Sequence, residues 1–101
     1  MPFIDFVTLP KLKLEEGVYS QLSSSGNLSL ELLSLKGGTK ITERVNESER
    51  WIYVLDGQLE FYLGNKREVL VTGMASHITT GETYRALALT ECKCIDISVK
   101  G

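Results

Sequence analysis

The sequence predicts a small all-β domain, and two observations lead to this prediction. Glycine recurs along the 101-residue chain and divides it into segments that are short for helices. Between the glycines, apolar and polar residues alternate, most clearly at Leu59, Phe61 and Leu63, as expected for strands with one buried face. Many short strands separated by regularly spaced turns are typical of a sandwich or a barrel.

We expect eight or nine strands within one domain that spans residues 1–101. The predicted strands cover residues 18–22, 28–35, 39–46, 51–55, 58–63, 68–72, 74–78, 84–89 and 92–99. A Ser-Ser-Ser-Gly-Asn segment at 23–27 predicts a turn. The continuous apolar run at 51–55 predicts a strand that is buried on both faces. Residues 1–12 form either an N-terminal arm or an edge strand, because Pro10 cannot donate within a central ladder.

The composition is that of an ordinary globular protein. Hydrophobic residues make up 43% of the chain, charged residues 24%, and the net charge is −2. We therefore expect no nucleic acid and no membrane as partner, because either would need a basic patch or a long apolar segment. Residues 1–10 lack the features of a signal peptide, so we expect a cytoplasmic protein.

The only two cysteines, Cys92 and Cys94, are two residues apart. On a strand they share a face at roughly 7 Å, which is a poor distance for a disulfide. A metal site would need further ligands, and the chain has a single histidine and no second cysteine pair. We interpret both cysteines as small buried apolar residues.

The segment from Gly38 to Ala88 resembles the two sequence motifs of the cupin family. At the spacing of the first motif stand Gly38, Arg44, Asn46, Arg50 and Gly57, and at that of the second stand Gly73, Thr79, Gly81, Tyr84 and Ala88. The resemblance implies a cupin-type double-stranded β-helix, which is a jelly-roll barrel. It also implies a site inside the barrel, where two histidines, a glutamate and a further histidine of the family usually hold a divalent metal.

The family's four metal-ligand positions are occupied here by Arg44, Asn46, Arg50 and Tyr84. Arginine has no acceptor lone pair and stays charged, so we expect no metal and no cofactor. Guanidinium groups match carboxylates and phosphates, which favours a pocket for a small anionic or sugar-acid ligand. We expect its apolar walls to come from Ile52, Val54, Leu59 and Phe61. Alternatively, the arginines pair with Glu43, Glu47 and Glu49, or lie at the barrel mouth with their heads in water.

Whether the protein is an enzyme stays open at this stage. In a second hypothesis, Tyr84 and His77 act as the acid–base pair of a metal-independent isomerase or lyase. In a third, the barrel is a non-catalytic structural or interaction module. Trp51, Tyr53 and Leu55 share the outward face of their strand, which is typical of an interface. The family resemblance then favours a homodimer.

Overall fold

The computed structural model describes residues 3–100, in which ten strands form two antiparallel sheets. The strands are β1 (Leu12–Glu15), β2 (Val18–Ser25), β3 (Leu28–Leu35), β4 (Lys40–Val45), β5 (Glu49–Asp56), β6 (Gln58–Leu63), β7 (Lys66–Val71), β8 (Ala75–Ile78), β9 (Thr83–Ala88) and β10 (Cys92–Val99). The predicted all-β class is confirmed. Over these residues there is no helix of the length and apolar character that crossing a membrane would need.

The two sheets face each other across a core of alternating side chains. One sheet has the strand order β1-β2-β3-β10-β5-β8, and the other has the order β4-β9-β6-β7. The core includes Leu35, Val54, Leu59, Ile78 and Ala88, all at most 1% exposed. Cys92 and Cys94 are free and buried, as the sequence predicted.

The turn predicted at 23–27 is shorter in the structure. Strand β2 continues through Ser25, which pairs with Leu28, and only Gly26 and Asn27 connect the two strands. Gly26 has a φ of 59°, a left-handed conformation that glycine adopts without steric cost and that allows a two-residue hairpin turn. The serines therefore belong to a strand, although they suggest a loop by composition.

Strand β5 is buried on one face, so the prediction of burial on both faces is wrong. Ile52 and Val54 point inward and are 2% and 0% exposed. Trp51, Tyr53 and Leu55 point outward and are 38%, 38% and 39% exposed. The outer face of β5 is only partly covered by other side chains of residues 3–100, so the apolar run exceeds what the core of one chain buries.

The beginning of the chain combines the two forms expected for it. Residues 3–11 precede the first strand, and their carbonyl groups are held by Gln21, whose Nε2 donates to Phe6 O at 2.5 Å and to Leu9 O at 3.0 Å. Strand β1 then pairs with β2 at the edge of the six-stranded sheet. Met1 and Pro2 lie outside the described residues.

Candidate functional site

A cavity of about 50 Å³ lies between the two sheets. Its lining comes from both sheets and comprises Leu14, Glu15, Val18, Glu31, Leu33, Ile41, Arg44, Arg50, Ile52, Tyr84 and Asp96. The structure thus brings together three of the four candidate residues, and Asn46 does not line the cavity. A space of this size accommodates one or two groups as large as a water molecule.

Arg44 reaches the cavity because strand β4 is irregular. Ile41 pairs with Ala86 and Arg44 with Tyr84, so three steps on β4 match two steps on β9. The additional residue is a β-bulge, which changes the side to which the following side chain points. As a result Arg44 stands at the cavity rim with 46% of its side chain exposed, and its Nη2 lies 3.1 Å from Glu15 Oε2.

Arg50 is held much more tightly than Arg44. Its Nη1 donates to Asp96 Oδ2 at 2.5 Å, and its Nε donates to Asn46 Oδ1 at 3.1 Å. Only 21% of the Arg50 side chain and 6% of the Asp96 side chain are exposed. Breaking such a pair leaves a charge buried without a partner, so we assign Arg50 a structural role at the inner wall of the cavity.

The amide of Asn46 joins two turns of the backbone. Its Nδ2 faces the carbonyl oxygens of Ser48, of Ile78 at 3.1 Å and of Thr79 at 3.0 Å. The side-chain oxygen accepts from Arg50, and the residue is 2% exposed. Since every polar atom of this side chain is engaged, Asn46 supports the site and has no free group to offer a ligand.

Asp96 is the central residue that the sequence analysis missed. Its Oδ1 is buried and has no hydrogen-bond partner in the described part of the chain. Glu31 stands directly opposite it on β3 and binds the Ser20 hydroxyl. Burial raises the pKa of Asp96, and Arg50 opposes that effect. One signal was available, because Asp96 has the same strand parity as Cys92 and Cys94, which the sequence analysis had placed in the core.

Tyr84 provides the phenol of the cavity wall. The residue is 5% exposed, and its ring is stacked on Phe61 with centroids 6.0 Å apart. Burial raises the pKa of Tyr84, while Arg50 and Arg44 oppose the shift. The phenol therefore stays protonated near neutral pH and is available to donate a hydrogen bond.

The charges around the cavity do not add up to a positive pocket. Arg44 and Arg50 contribute two positive charges, whereas Glu15, Glu31 and Asp96 contribute three acidic groups. The prediction that the two arginines pair with acidic residues is therefore correct, but the predicted partner residues are wrong. Arg44 and Arg50 pair with Glu15 and Asp96, which are distant in sequence and adjacent in space. Within residues 3–100, neither Glu43 nor Glu47 forms a salt bridge with these arginines.

Most of the residues predicted to form the apolar walls do not line the cavity. Of the four residues named, only Ile52 lines the cavity, whereas Val54, Leu59 and Phe61 are core residues. The inward parity of these residues was right. Strand parity does not tell how far each side chain lies from the cavity along the barrel axis, because that distance depends on how the strands are staggered.

His77 lies on the outer surface and cannot share a substrate with Tyr84. Its ring stacks on Trp51 with centroids 4.5 Å apart, and its Nε2 contacts Glu49 Oε1. His77 pairs with Trp51 across the strands and shares its outward parity. Tyr84 points into the cavity, so the six-stranded sheet separates the two side chains.

The residues at this position do not fit a divalent metal. Arg44 and Arg50 place positive charge where a cation would stand, and the oxygen of Asn46 is taken by Arg50. Within residues 3–100 no three side chains of the His, Cys, Asp or Glu types are grouped so as to hold a metal ion.

Comparison with known proteins places this site in a family. The family model for the cupin domain matches residues 31–98, which is more than half of the chain. A search of curated proteins finds no significant match.

Several solved structures share the whole fold. An RmlC-like cupin from Shewanella frigidimarina has a TM-score of 0.93 at 15% identity, over 100% of this chain and 92% of that one. KdgF from Halomonas sp. has a TM-score of 0.90 at 20% identity, over 98% and 94%. Oxalate decarboxylase from Bacillus subtilis has a TM-score of 0.85 at 16% identity, over 97% of this chain and 29% of that one. At these identities the structures establish the jelly-roll fold, and with the family match they show that the chain belongs to the cupin family.

Proposed function

We propose that this protein is a metal-free cupin that binds a small carboxylate at the mouth of its cavity, with Arg44 as the anion-binding group. One observation carries the proposal. The guanidinium of Arg44 stands at the rim, 46% exposed, and a single glutamate that is itself 31% exposed holds it at 3.1 Å. Exposed ion pairs of this kind contribute about 0–1 kcal/mol, so a ligand carboxylate replaces Glu15 at little cost.

Replacement of Glu15 by a ligand carboxylate also agrees with the charge around the cavity. Because the acids already balance the arginines, an additional anion would raise the negative charge of the lining. A carboxylate that takes the place of Glu15 leaves the charge next to Arg44 unchanged. Glu15 lies at the end of the edge strand β1, where its side chain is free to turn toward water.

One of the structural neighbours is named for a carboxylate substrate. Oxalate decarboxylase is named for a small dicarboxylate, and it shares the fold at 16% identity. Likeness at that level supports only the fold. The proposal therefore rests on Arg44 and its environment.

We propose binding and not catalysis by Tyr84 and His77, because the sheet stands between these two residues. General acid–base catalysis requires both groups to reach one substrate within hydrogen-bond distance. The phenol of Tyr84 faces the cavity, and the imidazole of His77 is engaged by Glu49 and Trp51 outside.

The test is an NMR titration of the ¹⁵N-labelled protein with a panel of small mono- and dicarboxylates, using sodium chloride as the ionic-strength control. We expect saturable shifts in β4 and β9 for the wild-type protein and their loss in Arg44→Met. Arg85→Met is the matched control, because Arg85 is an exposed arginine of β9 that stacks on Tyr62 outside the barrel.

The unfolding free energy of Arg44→Met should stay within about 1 kcal/mol of the wild type, since its ion pair is exposed. A loss of binding in this variant is then not caused by unfolding of the protein. Absence of saturable binding for the whole panel in the wild type would contradict the proposal, as would equal losses in the Arg44 and Arg85 variants.

We further propose that the chain forms a homodimer through the outer face of its six-stranded sheet. Trp51, Tyr53 and Leu55 are each more than one-third exposed, and Ile95 and Ile97 continue this apolar face on β10. Monomers rarely expose contiguous apolar patches of this kind, and a second copy covers the patch with the same residues.

Analytical ultracentrifugation tests the dimer. We expect the wild type to sediment as a dimer and Tyr53→Glu as a monomer. Val71→Glu is the matched control, because Val71 is 40% exposed and belongs to the other sheet. A monomeric wild type, or dissociation by both substitutions, would refute this interface.

A further inference from the structure

The cavity contains one polar atom whose hydrogen-bonding capacity is unused. Asp96 Oδ1 is buried without a partner, on a side chain of which only 6% is exposed, while Oδ2 is held by Arg50 at 2.5 Å. A buried acceptor that lacks a donor costs free energy, and native proteins rarely leave one unmatched. Asp96 lines the cavity, whose volume of about 50 Å³ admits a small group beside this side chain.

The facing sheet presents a hydrogen-bond donor that needs an acceptor. Tyr84 also lines the cavity, where the guanidinium of Arg44 donates to its hydroxyl oxygen, so the phenolic proton remains to be donated. The carboxylate oxygen of Asp96 can only accept, whereas the phenol of Tyr84 has a proton to donate. A group that fits both must donate one hydrogen bond and accept another.

We infer that the carboxylate bound at Arg44 is a hydroxy acid, whose hydroxyl group enters the cavity, donates to Asp96 Oδ1 and accepts from Tyr84. This inference rests on the proposed function and identifies the class of ligand. A hydroxyl group meets both requirements with one atom and fits the available volume.

An amino acid fits the same cavity less well. Its ammonium group carries three donors and no acceptor, and Asp96 Oδ1 is the only buried side-chain acceptor without a partner in the described chain. The ammonium has no lone pair for the phenolic proton of Tyr84, which would then lose its water without replacement. An unsubstituted carboxylic acid leaves both protein groups unmatched.

Three ligands that differ at one substituent test the inference. Lactate, propanoate and alanine carry a hydroxyl, a hydrogen and an ammonium group at the same carbon. We expect lactate to bind about tenfold more tightly than either of the others, as for a hydrogen bond to a charged partner. The pairs of butanoate with 3-hydroxybutanoate and with 4-hydroxybutanoate extend the series to longer separations of the two groups.

Two variants test whether Tyr84 and Asp96 are responsible for the preference for the hydroxy acid. Tyr84→Phe keeps the buried ring and removes the donor, and Asp96→Asn keeps the shape and removes the acceptor charge. We expect each to reduce the preference for the hydroxy acid over propanoate to less than about threefold. Circular dichroism and thermal unfolding establish that the variants are folded, and the comparison of ligands on the wild type needs no variant.

The possible results separate the two proposals. If no carboxylate of any series binds, the proposed function fails. If the acids bind and their hydroxylated forms bind no more tightly at any position, the function stands and the hydroxy-acid inference is overturned. A preference for alanine, or a hydroxyl preference that survives in both variants, overturns it as well.

Discussion

The two ends of the barrel interior are built from opposite kinds of side chain, although the same strands supply both. Strand β5 contributes Val54 to one end and Arg50 to the other, and β10 contributes Cys94 and Asp96. Val54 and Cys94 are 0% exposed, within a layer completed by Leu59 and others. At the other end, side-chain ion pairs surround a cavity of about 50 Å³.

This difference shows how one barrel can separate stability from binding. The apolar end is filled, and each methylene buried there contributes about 0.8 kcal/mol to the unfolding free energy. The polar end contributes less to the unfolding free energy, because charges that leave water must be matched by partners. The place where the fold tolerates an unmatched oxygen is also the place where a ligand can be recognised.

Substitution of Gly57 tests the close packing of the apolar end and should give the largest effect. Its φ is +101°, and an added Cβ would lie 2.3 Å from Glu91 O and 2.8 Å from Cys92 Sγ. Gly73 has a similar φ of +93° with no atom within 4 Å. We expect Gly57→Ala to lose about 3–5 kcal/mol in urea unfolding and Gly73→Ala about 1–2 kcal/mol, because only the first adds a steric clash to backbone strain. Equal losses would show that the apolar end has room to adjust.

The Arg50–Asp96 pair tests the polar end. We expect Asp96→Ala to lower the unfolding free energy by about 2–3 kcal/mol, because Arg50 then remains largely buried without its partner. The double variant Arg50→Met, Asp96→Leu should recover most of that loss, since neither charge remains. Urea denaturation of both proteins measures the difference. A double variant no more stable than Asp96→Ala would show that the loss does not come from the unpaired charge of Arg50.

The pH dependence of stability should show a smaller effect from the same carboxyl. Burial raises the pKa of Asp96 in the folded protein, so the folded state holds this proton more tightly than the unfolded chain does. The contribution of Asp96 to stability is then greatest at low pH and declines as pH rises above about 4, the unfolded value. Relative to Asp96→Asn, the wild type should lose stability as pH rises from 4 to 7, measured by urea unfolding. A relative gain with rising pH would show that Arg50 dominates over burial.

Much of the fold could be predicted because its signals are local. The glycines at motif spacing mark real turns, and Gly57 shows why: its conformation and its surroundings both exclude a side chain. Strand parity correctly placed Ile52 and Val54 inside and Trp51 outside. Strand β1 begins at Leu12, where the segment expected to be an arm or an edge strand ends, and its four-residue pattern is too short to place from the sequence.

The candidate site was predictable only in part. Motif spacing pointed to Arg44, Arg50 and Tyr84, which do line one cavity. It did not show that Asn46 is fully engaged by the backbone and Arg50, because three carbonyl groups meet there from separate turns.

Residue identity and spacing were enough to establish the alternating strands, the tight turns, the cupin resemblance and the replacement of metal ligands by arginine. The partners of those arginines came from the assembled sheets. Glu15 and Asp96 lie 29 and 46 residues from Arg44 and Arg50, and the sequence contains nearer acids that make no such contact. Charge pairing acts through space, and strand order and the bulge in β4 determine which side chains meet.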